Sequence, residues 1–130
     1  MVEIIKQKAG PTFYDPRGSI VNVWESEFPG VPVRHVALIK SSRGSVRGNH
    51  YHNKSSHWTY LLWGSVIYCQ GNPPDAIVSY DMIPGDVIFT PNGVPHSFTF
   101  LEDSAFLALA TDTKSNGRYE ADTVRLVLGN

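Results

Sequence analysis

A chain of 130 residues with 42% apolar and 18% charged side chains has the make-up of one globular domain, which excludes an intrinsically disordered chain. Its formal net charge of -1 gives no general attraction for nucleic acid or an anionic membrane, so any basic site must be local. Cys69 is the single cysteine, which excludes an internal disulfide and fits a reducing cytoplasm.

The start, Met1 to Lys6, lacks the charged and apolar regions of a signal peptide, so none is expected. Proline and glycine then recur at roughly ten-residue intervals, between runs rich in β-branched and aromatic residues. In chain order the predicted strands are 19–24, 32–40, 45–52, 57–69, 76–82, 86–90, 96–101, 105–111 and 123–128. Turns are expected at Asp15-Pro16-Arg17-Gly18, Pro29-Gly30, Asn72-Pro73-Pro74-Asp75, Pro84-Gly85 and Asn92-Gly93. The expected architecture is therefore all-β, a sandwich or jelly-roll barrel in one domain spanning 1–130. The longest apolar stretch, 58–69, is interrupted by Gly64 and Ser65 and is too short and polar to cross a bilayer. It is also apolar on both faces: Trp58, Tyr60 and Leu62 form a second stripe opposite the one that includes His57. Such a stripe needs cover, and a homodimer interface is the expected one.

Four of the five histidines share a spaced pattern, His50-x-His52-x4-His57 and Pro91-x-Gly93-x2-His96. His50 and His52 are two apart, so on a strand both leave one face while Tyr51 leaves the other. His57 follows a short polar turn and is expected back beside them through a hairpin, and His96 joins from a distant strand. Strand histidines also occur as ordinary core or surface residues. Four imidazoles on one point are nevertheless sufficient for a divalent metal, zinc first, with iron, nickel or manganese as alternatives. Four would close a tetrahedral zinc site and leave two positions on an octahedral ion.

Lys40, Arg43 and Arg47 lie just before the histidines. Guanidinium groups suit phosphate or carboxylate, while a solvated basic edge is the plain alternative. Strict alternation puts Arg47 on the face opposite His50, so a shared pocket requires a bulge, for which Gly48 is the candidate.

Gly44-x5-His50-x-His52-x4-His57-x6-Gly64 and Gly85-x5-Pro91-x-Gly93-x2-His96 resemble both halves of the cupin signature, with His57 where that family usually has Glu and Phe100 where it usually has Asn. The segments 15–19, 41–51 and 91–98 look like those of dTDP-4-dehydrorhamnose 3,5-epimerases, a likeness covering most of 12–112. Arg47-Gly48-Asn49-His50-Tyr51-His52 is similar to an element of dTDP-sugar 3,4-ketoisomerases and to the zinc-binding cupin domain of capsular-polysaccharide reductase/epimerases.

The resemblance implies a jelly-roll barrel, commonly dimeric, with His50 as general base, Arg47 on substrate phosphate and Arg17 or Arg43 assisting. Arg17 would act from a neighbouring subunit. The epimerases' catalytic Tyr falls on Ala108, which argues against a true 3,5-epimerase. The expected activity is an isomerase or epimerase acting by proton abstraction on a nucleotide-linked 4-keto sugar, in polysaccharide or deoxysugar biosynthesis. If His50 binds metal it is no longer a free base, and Tyr51 or Tyr60 would have to move the proton. The alternatives are a metal-dependent cupin oxygenase or lyase on another small molecule, and a non-catalytic sugar-binding or sensor cupin.

Overall fold

The computed structural model describes residues 4–8, 12–23, 32–112 and 117–128. Twelve strands and one short helix follow in chain order among them: β1 Ile5–Lys8, β2 Thr12–Asp15, β3 Gly18–Val21, β4 His35–Ser41, β5 Val46–His52, β6 His57–Trp63, β7 Val66–Gln70, β8 Val78–Met82, β9 Asp86–Thr90, β10 His96–Phe100, β11 Ser104–Ala110, α1 Arg118–Asp122 and β12 Thr123–Arg125. One five-stranded sheet has the order β1-β9-β6-β11-β4 and the other β12-β5-β10-β7-β8, while β2 and β3 form a separate hairpin. All pairings are antiparallel, so each strand can bury one face and leave the other in water.

Predicted strand 57–69 is two strands in two sheets. At Gly64 the backbone takes φ +105°, and a Cβ there would lie 2.7 Å from the Ser104 Cα. Only glycine permits both the conformation and the approach, so the chain turns there and leaves the first sheet. The expected His50-to-His57 hairpin does not form, because β5 and β6 belong to opposite sheets. Three further elements, β1, β2 and the helix α1, were not expected from the sequence. They are short, and a single turn of helix has too few residues to show a period. Trp24 and the Pro29-Gly30 turn lie outside the described residues.

Leu61, Val66, Tyr68, Met82, Ile88, Phe98, Phe100 and Phe106 fill one end of the space between the sheets. Phe100, at the signature position where Asn is usual, is fully buried and stacks on Phe106 with centroids 5.8 Å apart, so it serves the core. Phe98 and Phe106, with centroids at 5.1 Å, form the floor beneath a cavity that occupies the other end.

Candidate active site

The cavity encloses about 380 Å³, within the range of small-ligand pockets. Its first wall is the inner face of β4, β11 and β6. Register places His35, Ala110 and His57 in one row at the mouth and Ala37, Ala108 and Thr59 in the next. Ile39, Phe106 and Leu61 form the third row, whose Ile39 and Phe106 reach the cavity. Small side chains in the middle row create the space. The second wall carries His50 and His52 from β5 and His96 from β10, with Tyr119 and Arg125 closing over them from the C-terminal segment.

A bulge sets the second wall. His96 pairs with His50 but Ser97 pairs with Gly48, leaving Asn49 as the extra residue. Gly48 has φ +89° and Asn49 φ +54°, and a Cβ on Gly48 would lie 2.8 Å from the His96 carbonyl oxygen. The bulge breaks strict alternation, so Arg47 lines the same cavity as His50. Arg47 is oriented there by donating from Nε to Ser41 Oγ at 2.7 Å and from Nη2 to the Lys40 carbonyl at 3.1 Å.

Asn49 also holds the C-terminal segment: its carbonyl accepts from Leu126 N–H at 2.8 Å and its side-chain oxygen from Leu128 N–H at 3.2 Å. Asp122 fixes the other end, accepting from the backbone N–H groups of Lys54 and Ser55 at 2.7 and 3.1 Å. The His96 loop is tied down in turn, with Gly93 N–H donating to the His52 carbonyl at 2.6 Å.

One ring nitrogen from each of His50, His52 and His96 lies within 4.8 Å of the other two, and all three residues are buried. Behind them, His96 Nδ1 donates to the Val94 carbonyl at 3.0 Å. Thr123 gives its hydroxyl proton to the Tyr119 carbonyl and therefore accepts from His52 Nδ1 at 3.2 Å. Arg125 Nη1 lies 3.1 Å from His50 Nδ1. Beneath His96, the Tyr68 hydroxyl meets Gln70 Oε1 and Thr90 Oγ1, each at 2.8 Å. Burial holds that phenol far above the ordinary range, so it stays neutral.

The structure separates the residues nominated from sequence. His57 lines the cavity but is not in the converging set: arriving from the facing sheet, it stacks on His52 with ring centroids 4.6 Å apart at 22°. Tyr51 sits on the far face of β5, and Tyr60 is buried on the far face of β6, so neither reaches the cavity. Arg43 lies in the turn before β5, outside the lining. Arg17 is also outside it, in the β2–β3 turn. There it is bound to Asp15 at 2.6 Å, and it holds that carboxyl below its ordinary range. Sequence reasoning missed His35, Tyr119, Thr123 and Arg125. His35 matched no motif, Tyr119 sits on the single-turn helix α1, and Thr123 and Arg125 act through the register of a three-residue strand.

The profile described as Cupin matches residues 6–127. The chain belongs to the cupin family. This cupin is 32% identical over 72 residues, 55% of its length, to an oxalate decarboxylase of Bacillus subtilis, and it spans 18% of the length of the curated relatives it matches. Among solved structures, a variant 3,4-ketoisomerase from Thermoanaerobacterium thermosaccharolyticum in complex with TDP-4-keto-6-deoxyglucose superimposes with TM-score 0.77 at 18% identity, covering 96% of this chain and 88% of the other. The dTDP-4-dehydrorhamnose 3,5-epimerase of Sulfolobus tokodaii gives 0.73 at 23% identity, covering 92% and 74%. These likenesses show that the fold is shared over nearly the whole chain. No helix among the described residues is long and apolar enough to cross a membrane.

Proposed function

We propose that this cupin is an isomerase or epimerase that moves a proton beside the ketone of a nucleotide-linked 4-keto sugar. The observation that carries the reading is the lining of the cavity: imidazoles and two guanidiniums against an apolar wall, with no carboxylate among the described lining residues. Such a lining favours an anionic ligand with an apolar face. The T. thermosaccharolyticum ketoisomerase, bound to a ligand of this kind, supports it.

In this reading the sugar ring lies over Ala37 and Ala108, with its diphosphate toward Arg47 and Arg125. One imidazole takes the proton from the carbon next to the ketone, and the C–H electron pair becomes the enediolate while the carbonyl oxygen turns negative. Returning the proton to the opposite face of that carbon gives the epimer. If the 3-hydroxyl proton instead passes to the C4 oxyanion and C4 receives the proton held by the imidazole, the ketone has moved to C3 and C4 carries the hydroxyl. The developing oxyanion needs fixed donors or a cation.

His52 and His96 carry their lone pairs on Nε2, as ligands of a divalent ion must, whereas His50 meets the Arg125 guanidinium through Nδ1, so two of the three imidazoles are set for a metal. Bound there, a metal would supply Lewis-acid stabilisation of the oxyanion. The exposed Phe13, Tyr14, Ile20, Val36 and Leu38 support a homodimer that brings the β2–β3 turn, with Arg17, toward a second subunit. Light scattering at micromolar concentration should give twice the chain mass; a monomer mass removes Arg17 from the site.

The test is solvent deuterium. The enzyme should wash deuterium into a 4-keto nucleotide sugar at C3 or C5, and His50→Ala should abolish it. A saturating nucleotide sugar should stabilise the fold by about 2.7 kcal/mol at a hundredfold excess over Kd, with binding that weakens as salt rises. Failure of both results would favour a second reading, a metal-dependent lyase acting on a small carboxylate. The oxalate decarboxylase match and the three-imidazole cluster support that alternative.

A further inference from the structure

The three clustered imidazoles are held from behind by partners of opposite polarity. Val94 offers His96 a carbonyl, and Thr123 has its hydroxyl proton committed elsewhere, so both neighbours accept. His52 and His96 therefore carry hydrogen on Nδ1. His50 faces a guanidinium, which has donors and no acceptor. At 3.1 Å from Arg125 Nη1, the His50 Nδ1 must carry the lone pair, which leaves the hydrogen of the neutral ring on Nε2. The contact is built into the fold. Arg125 is the register partner of His50, its strand is fixed by Asn49 and Asp122, and Glu120 takes its other nitrogen at 3.4 Å.

We propose that Arg125 is a positioning residue that reverses His50 relative to His52 and His96. His50 then presents an N–H to the cavity and donates to the oxygen that becomes negative, while the C–H proton passes to His52 or His96. The identity of that oxygen rests on the isomerase reading; the orientation of His50 does not. The same contact opposes metal, because coordination through His50 Nε2 would require hydrogen on the nitrogen that faces Arg125 and would set a cation near a fixed guanidinium.

The test uses the full chain, uniformly labelled with nitrogen-15 and stripped of metal. Long-range proton–nitrogen spectra of the imidazoles at neutral pH should show hydrogen on Nδ1 of His52 and His96 and on Nε2 of His50. In Arg125→Met the His50 pattern should move toward Nδ1–H, and zinc, titrated against a chromogenic chelator, should bind at least tenfold more tightly. A wild-type His50 with hydrogen on Nδ1 overturns the proposal without any variant. An unchanged spectrum or unchanged zinc affinity in folded Arg125→Met does the same.

His50→Gln keeps a donor and loses a base, so it should retain at least a tenth of the deuterium exchange that His50→Ala abolishes. Equal loss in both variants refutes the donor role. If the wild type exchanges nothing with any 4-keto nucleotide sugar, the isomerase reading falls, and the spectra still decide the orientation of His50.

Discussion

Gly48→Ala strikes the bulge on which the second wall depends, and its cost divides into two parts. The first is conformational: an L-residue held at φ +89° loses about 1–2 kcal/mol relative to glycine. The second is steric, since the new methyl would sit 2.8 Å from the His96 carbonyl oxygen and 3.0 Å from the Ser97 Cα, both backbone atoms of a paired strand. Forcing such a contact costs about 1–3 kcal/mol.

Gly85→Ala is the control, because φ there is +94° and nothing lies within 4 Å of the added carbon. Gly48→Ala should thus destabilise by about 2–5 kcal/mol and Gly85→Ala by about 1–2. For a chain of this length that is roughly 8–20 °C against 4–8 °C in Tm. Urea unfolding followed by tryptophan fluorescence measures both. Equal losses in the two variants would refute the close approach of β5 and β10.

Ala108→Phe should fill the cavity at a stability cost of about 1 kcal/mol, the mild end of overpacking, while removing the thermal shift given by nucleotide sugars; a retained shift would place the sugar elsewhere. The His35 Nδ1 is buried with no hydrogen-bond partner among the described residues, so His35→Ala should weaken ligand binding about tenfold, the worth of one hydrogen bond, with little change in urea midpoint. Calorimetry giving unchanged affinity would exclude His35 from recognition. Burial raises both the Tyr68 phenol and the neighbouring Cys69 thiol, so the unfolded chain ionises first. Their contribution to stability is complete below about pH 8.5 and is lost as pH rises through the folded values. The urea midpoint should therefore fall between pH 7.5 and 10.5, and an unchanged midpoint would contradict the burial of these groups.

The histidine spacing, the barrel and the need for a bulge at Gly48 were legible in sequence because each rests on local rules, namely alternation, turn chemistry and the conformational freedom of glycine. Sheet membership was not. Nothing in 57–69 says that Gly64 ends one sheet and begins another until Ser104 is known to lie against it. The same blindness brought His57 to His52 through a hairpin, whereas it arrives there from the facing sheet. Arg125 and Thr123 were illegible for a related reason: each acts on a histidine more than seventy residues away in sequence, and no local pattern encodes that register.

The alanine row and the three clustered histidines sit on sheets that share no hydrogen-bond ladder. Room and reactivity are therefore inherited separately. A lineage could enlarge, shrink or reshape the volume through residues 37 and 108 without shifting the strands that aim His50, His52 and His96. It could also retune those imidazoles through the last turns of the chain without altering what fits.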